Sequence, residues 1–119
     1  MLTRLVSWHP RAIGIDIYRD IPTGDKSGSD KLAAVLKAHP EIVWIFKMAE
    51  GPDHPMIAPP AAVKGTDQAV LADTAPDPGQ IARRGLLYAD DGKDSYPTLG
   101  MAIAQRFLTV DGIQPAAGQ

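Results

Sequence analysis

The chain has 119 residues, 45% hydrophobic and 22% charged, which are the proportions of one globular domain rather than of a disordered or fibrous chain. Its net charge of −2, without a basic stripe interleaved with aromatic residues, argues against nucleic-acid binding. The absence of cysteine excludes disulfides and thiolate chemistry, and the longest apolar run, Ile42–Phe46, is far shorter than the ~20 residues that span a bilayer.

The first elements predicted along the chain are a helix and a buried strand. Leu2, Leu5 and Val6 recur at helical spacing, which predicts a helix over residues 1–9. The nearly uninterrupted apolar run Ala12–Tyr18 predicts a strand that is covered on both faces. Strands of this kind belong to parallel sheets, so we expect parallel partners for it.

A second helix and a second buried strand follow. Ser29 is a candidate N-cap for this helix, and Pro40 ends it because proline disfavours helical geometry in the residue before it. The run Ile42–Phe46 predicts the strand, so strand, helix and strand form a right-handed βαβ unit with a parallel pair. The helix residues expected to face the core are Leu32, Val35 and Leu36.

A long connection and two further strands are predicted next. Residues 49–66 contain four prolines and two glycines, which indicates a connection that runs over the surface and covers a pocket. Strands are predicted at Ala69–Asp73 and Ile81–Tyr88, with turn residues between them. Two adjacent strands joined by a short turn are expected to be antiparallel.

The last predicted elements are a tight turn at Asp91-Gly92 and a helix that begins around Ser95–Pro97. Leu99, Ile103 and Phe107 form the apolar stripe of this helix. The sequence therefore predicts an α/β fold, with a three-layer-like mixed sheet that contains a parallel βαβ unit, an antiparallel hairpin and flanking helices. We expect a single domain over residues 1–110 and a loose tail over residues 111–119.

Candidate binding residues lie at the carboxyl end of the first strand. Asp16, Arg19 and Asp20 lie at and just beyond this end, which is where open α/β sheets bind their ligands. Asp73 follows another predicted strand and would complete a carboxylate cluster for Mg²⁺, Ca²⁺ or another cation. The alternatives are an ion pair or a capping role for Asp16 and a turn-capping role for Asp73, and these roles are the commoner ones.

Arg83 and Arg84 are the last candidates for ligand contact. They are adjacent in a predicted strand, so one side chain points to each face of the sheet. One of them is a candidate partner for an anionic ligand or an internal carboxylate. The alternative is one ion pair at the edge of the core and one solvated arginine.

Other signatures of catalysis or metal binding are missing from the sequence. The histidines have no metal-type spacing, the serines lack a G-x-S-x-G elbow, and residues 24–28 lack the order of a phosphate loop. Asp90, Asp91 and Asp94 lack the EF-hand pattern and indicate a solvated hairpin tip. We therefore expect no catalytic residue, no metal and no cofactor.

Four stretches, in this order and at this spacing, carry a family resemblance. They are Arg11–Ile17, Leu32–Leu36 leading to Ile42–Trp44, Asp77–Leu86 and Tyr96–Met101, and together they span most of residues 2–108. In these stretches the chain resembles the second type of CHASE domain, the cyclase- and histidine-kinase-associated sensory extracellular domains.

The resemblance implies an extracytoplasmic domain that binds a small molecule or an ion and does not catalyse. The parent would be a bacterial inner-membrane protein with membrane helices and a cytoplasmic histidine kinase, adenylate or guanylate cyclase, or diguanylate cyclase. Family members usually carry an earlier strand with an acidic residue, so the resemblance also implies that a neighbouring strand is absent here. An exposed sheet edge would favour a homodimer.

Two alternatives to a sensor stay open at the level of sequence. One is a small Mg²⁺-dependent α/β enzyme or phosphoacceptor-like domain that uses Asp16 and Asp20, an idea that rests on fold analogy. The other is a structural interaction module whose sheet edge pairs with a partner.

Overall fold

A computed structural model describes residues 1–22, 24–72 and 85–116 of the chain. Its helices and strands alternate through the first half and are followed by a hairpin and a final helix. In chain order they are α1 (Leu2–Val6), β1 (Ile13–Ile15), α2 (Lys26–Ala38), β2 (Ile42–Phe46), β3 (Ala69–Leu71), β4 (Tyr88–Asp90), β5 (Ser95–Pro97) and α3 (Leu99–Thr109).

The centre of the fold is a parallel sheet in the order β1-β2-β3. Ile13 pairs with Ile42 at one side of β2, and Ile45 pairs with Val70 at the other. All five residues of β2 are buried, because this strand lies in the middle of the sheet and is covered on both faces. The predicted parallel pair around α2 is therefore confirmed, and β3 adds a second parallel neighbour.

Helices α2 and α3 supply most of the side chains that cover the sheet. Leu36 of α2 and Ala102 of α3 are fully buried in the main core cluster. Leu32 and Val35 pack against the same cluster, as predicted, and so do Leu99 and Ile103 of α3. Phe107, the third residue predicted in the α3 stripe, is instead half exposed beneath the guanidinium of Arg11. None of the helices in the described part of the chain is long and apolar enough to cross a membrane.

Strand β1 is shorter than the run Ala12–Tyr18 that predicted it, and this part of the prediction was wrong. Pairing with β2 covers only Ile13–Ile15, and the side chains of Ile17 and Tyr18 are 57% and 44% exposed. The indole Nε1 of Trp44 donates a hydrogen bond to the carbonyl oxygen of Ile17. The Trp44 side chain thus satisfies a backbone carbonyl group just after β1, where a neighbouring strand would otherwise supply the donor.

Helix α2 begins three residues earlier than the predicted cap. Asp25, not Ser29, is the N-cap, and its Oδ1 accepts a hydrogen bond from the backbone N–H of Gly28 at 2.8 Å. An aspartate at this position satisfies a free amide of the first turn as well as a serine does, so the earlier residue takes the role. The helix ends at Ala38 with His39 as C-cap, as predicted.

An antiparallel hairpin is present, formed by β4 and β5 around the predicted turn at Asp91-Gly92. Tyr88 pairs with Pro97 and Asp90 with Ser95, so the Asp91-Gly92 turn closes the hairpin. The acids at this tip are exposed, as predicted. Most of the segment predicted as the antiparallel partner of β3, together with its turn, lies at residues 73–84, outside the described residues.

The start of α3 also differs from the prediction. Ser95–Pro97 is strand, because Pro97 disfavours helical geometry at Tyr96, and α3 begins at Leu99 with Thr98 as N-cap. The hydroxyl of Thr98 donates to the carbonyl oxygen of Leu86 at 2.7 Å, and it accepts no cap hydrogen bond from the helix.

Candidate functional site

The carboxyl end of β1 and the first turns of α2 enclose a cavity of about 190 Å³, called the small cavity below. The loop after β1 contributes Arg19, Asp20 and Pro22 to its wall. Helix α2 contributes one face, from Ser29 to Leu36, and the long connection contributes residues 60–62. Three segments that are distant in sequence thus meet at the edge of the sheet where ligand binding was predicted.

Two predicted site residues, Arg19 and Asp20, lie together in the wall of this cavity. Asp20 is exposed, and its Oδ1 accepts a hydrogen bond from the backbone N–H of Ile21 at 3.0 Å. Its second carboxylate oxygen makes no hydrogen bond with the described residues. Arg19 is half-buried at the same wall.

Asp16 does not join this pair. It follows the last residue of β1, it is exposed, and it is not part of the cavity wall. The expectation of a buried aspartate in need of a charged partner was wrong, because the strand ends one residue before it. The other predicted site residues, Asp73, Arg83 and Arg84, lie outside the described residues.

The lining of the small cavity combines apolar and charged groups. Its walls are largely apolar, with one basic and one acidic side chain at the rim, and its volume is below the roughly 300–1,000 Å³ of sites for drug-sized ligands. The described residues contain no group of three or more His, Asp or Glu side chains placed to hold a metal ion.

A second and larger cleft is lined in part by Met56, Pro59 and Lys64, from the connection of residues 49–66 that was predicted to cover a pocket. It has a volume of about 1000 Å³ and is lined by residues that precede β3, by β5 and by α3; we call it the β3 cleft. Tyr96 lies in its wall, and desolvation raises the pKa of the phenol, with further contributions from the charges of Asp91 and Asp94. The connection of residues 49–66 was the sequence signal for a pocket here, whereas the contribution of Gln105 and Arg106 from α3 was not predicted.

Comparison with known proteins places the chain in a family. The model of the CHASE2 domain matches residues 1–118, which is almost the whole chain. No curated protein and no solved structure matches it. CHASE2 domains are extracellular sensory domains of signalling proteins, and the resemblance noted in the sequence is thereby confirmed. This chain belongs to the CHASE2 domain family.

Proposed function

We propose that this chain is the ligand-binding input domain of a membrane-anchored signal-transduction protein, and that its ligand is a small molecule or ion bound in the small cavity. The observation that carries the proposal is the family match over residues 1–118. The cavity supports it, because Arg19 and Asp20 meet there at the carboxyl edge of a parallel sheet.

The construction of the cavity gives such a ligand a way to act on the fold. Its walls come from the loop after β1, from α2 and from residues 60–62. A ligand that touches all three stabilises the conformation in which they are close together. It thereby shifts the population of the domain towards that conformation, and a parent protein can transmit the shift.

The parent that we infer is a bacterial inner-membrane protein, with this domain on the extracytoplasmic side. Its membrane helices and its cytoplasmic output domain, a histidine kinase, a nucleotide cyclase or a diguanylate cyclase, are the partners of the domain within the same chain. We also propose a homodimer, since β1 pairs only with β2 among the described strands and has a second edge.

Thermal unfolding of the isolated chain tests ligand binding, with a panel of osmolytes, ions and metabolites as probes. A ligand at 100 times its dissociation constant stabilises the folded state by about 2.7 kcal/mol, which is easily measured as a rise in the melting temperature. Asp20→Asn and Arg19→Gln are expected to reduce the rise. Asp30→Asn, an exposed aspartate on α2 outside the cavity, is the matched control.

The proposal fails if a folded chain shows no shift with any probe, or if the cavity variants respond as strongly as the control. Sedimentation velocity over a range of concentrations tests the dimer separately. In the parent protein, the same cavity variants are expected to change the dependence of output activity on ligand while leaving unstimulated activity intact.

The Mg²⁺-dependent alternative has no specific observation in its favour. It requires Asp16 and Asp20 to share a site, and only Asp20 lines the small cavity.

A further inference from the structure

We propose that the β3 cleft is a second binding site, and that it takes a small organic monocarboxylate with an apolar body. Arg106 would hold the carboxylate, and an aromatic wall would hold the apolar part. The site is separate from the small cavity, since no residue lines both.

The size and position of the cleft suit a small organic molecule. Its volume of about 1000 Å³ is at the upper end of the range for ligand sites, roughly 300–1,000 Å³. It extends from Pro40 and Asp67, which precede β2 and β3, to the hairpin at Tyr96. The cleft is thus bounded by the rigid elements of the fold on more than one side.

The guanidinium of Arg106 is held in place by hydrogen bonds and has further N–H donors that these bonds do not use. Its Nε donates to the carbonyl oxygen of Pro40 at 3.0 Å, and its Nη2 donates to the carbonyl oxygen of Asp67 at 2.8 Å. Nη1 makes no hydrogen bond within the described part of the chain. The Arg106 side chain is only 16% exposed. Every buried side-chain nitrogen or oxygen of the described residues has a hydrogen-bond partner, and since Nη1 has none, it is not one of the buried atoms. Nη1 is therefore accessible, and the accessible space beside Arg106 is the cleft.

The positive charge of Arg106 is only partly balanced within the protein. Among the described residues its one carboxylate neighbour is Asp67, which lies at 3.4 Å from Nη2 and has a side chain that is 87% exposed. Because water surrounds the Asp67 carboxylate, it screens this carboxylate's attraction for the guanidinium. Burial lowers the pKa of Arg106 and Asp67 opposes that effect, so the guanidinium is partly desolvated and still charged. A partly desolvated guanidinium with free N–H groups is a strong site for a carboxylate.

The wall of the cleft is the surface on which the apolar part of the ligand would pack. Phe46 and Tyr96 meet edge to face, with ring centroids 5.1 Å apart and an interplanar angle of 79°. Ala69, Pro59 and Met56 continue this surface. An aliphatic or aromatic body placed here would bury apolar area on both partners.

The other charged groups at the cleft favour a ligand with one negative charge over a ligand with two. Lys64 adds a cation, and Arg11 is already bound by Asp111. Three acids, Glu41, Asp67 and Asp94, also line the cleft and would repel a phosphate or a dicarboxylate. The combination favours a monocarboxylate.

Isothermal titration calorimetry on the whole chain tests this inference with benzoate and hexanoate as probes, each compared with its neutral amide. We expect saturable binding of the carboxylates and ~10- to 100-fold weaker binding of the amides, the range for the loss of a charge-assisted hydrogen bond. No binding of either acid at millimolar concentration, or equal binding of acid and amide, would overturn the proposal.

Asp67→Asn is the sharpest variant, because Arg106 bonds the main-chain carbonyl of Asp67 and the fold keeps that bond. Removal of the competing carboxylate is expected to tighten binding of the acids several-fold and to leave the amides unchanged. Arg106→Gln is expected to abolish binding, and circular dichroism shows whether that variant is folded. Unchanged affinity in Asp67→Asn contradicts the assignment even if Arg106→Gln does not fold.

Asp20→Asn separates this site from the small cavity. It is expected to leave benzoate binding unchanged, whatever its effect on the ligand of the proposed function. A change in benzoate affinity in Asp20→Asn, in either direction, would show that the acid binds in the small cavity and would refute a site at the β3 cleft.

Discussion

Gln68 holds together three elements that the chain places far apart. Its side chain is buried, and Nε2 lies within hydrogen-bond distance of the carbonyl oxygens of Leu36, His39 and Ile42, at 3.0, 3.0 and 2.9 Å. The last carbonyl groups of a helix have no partner within the helix. The amide of Gln68, just before β3, therefore completes the end of α2 and the start of β2.

Gln68→Met is expected to lower the free energy of unfolding by about 1–3 kcal/mol, because methionine has a similar length but leaves buried carbonyl groups without a donor. Urea unfolding followed by circular dichroism measures the change. Gln114→Met removes an exposed glutamine with one long hydrogen bond and is the control, expected within ~0.5 kcal/mol of the parent chain. Equal losses in the two variants would refute this role for Gln68.

Asp91 organises the hairpin tip through its charge. Its Oδ1 accepts hydrogen bonds from the backbone N–H groups of Asp94 and Lys93, at 2.7 and 2.9 Å. These bonds favour the ionised form and lower the pKa of Asp91 below its ordinary value of 3.8. Since the pKa is lower in the folded state, the stabilisation is complete above the unfolded value and is lost as the pH falls through the folded value.

Asp91→Asn is therefore expected to reduce the loss of stability on acidification below pH 3.8, because asparagine keeps an acceptor oxygen and does not titrate. Urea unfolding at a series of pH values measures this. Asp53→Asn, an exposed aspartate that accepts no hydrogen bond from the described residues, is the control. The prediction is wrong if the two variants have the same acid profile.

The contact between β1 and α3 depends on a glycine. A Cβ atom placed on Gly14 would lie 2.5 Å from Cδ1 of Ile103 and 3.1 Å from Cδ1 of Leu99. The strand and the helix therefore approach more closely than any other residue at position 14 allows without a shift of side chains.

Gly14→Ala is expected to cost about 1–3 kcal/mol of stability through overpacking. Ile103→Val removes the atom that clashes and alone costs about 0.5–1.5 kcal/mol. In the double variant the two costs should not add, because the valine makes room for the new methyl group. Urea unfolding of the four chains measures the coupling, and additivity within ~0.5 kcal/mol would refute the proposed contact.

The elements that the sequence predicts well are those whose burial is uniform. Strand β2 and the core face of α2 were predicted correctly because a central strand and an amphipathic helix leave long, regular patterns. The end of β1 was not predicted correctly, since the apolar run continues to Tyr18, beyond Ile17, whose carbonyl oxygen already accepts a hydrogen bond from the Trp44 side chain. The hairpin tip at residues 90–94 was predicted from its turn residues, but strands β4 and β5 were not, because three-residue strands carry too little periodicity.

The same distinction applies to the candidate binding residues. The rule that ligands bind at the carboxyl ends of parallel strands indicates Arg19 and Asp20 directly. Arg106 was missed because its partners Pro40 and Asp67 lie 66 and 39 residues away, a proximity that only the tertiary structure reveals.

At the scale of the whole molecule, Arg11 connects the start of the sheet to the end of α3. Its Nη1 and Nη2 donate to the two carboxylate oxygens of Asp111, at 2.6 and 3.1 Å, across 100 residues of sequence. The guanidinium also lies 4.7 Å from the centre of the Phe107 ring. The predicted boundary at residue 110 remains a prediction, and a chain shortened to residues 1–110 tests it, since that chain loses this ion pair.

Asp111→Asn is expected to lower the free energy of unfolding by about 0.2–1 kcal/mol at low ionic strength, because the two side chains are 39% and 48% exposed and solvent screens the pair. The difference should shrink in 1 M salt, where the Debye length is about 3 Å. Urea unfolding at both salt concentrations measures it, with Asp30→Asn, from the more exposed Lys26–Asp30 pair, as control. Arg11→Ala should cost more than Asp111→Asn at high salt, since the contact with Phe107 is also lost. A cost of Asp111→Asn that is independent of salt would mean that the carboxylate acts through packing and not through its charge.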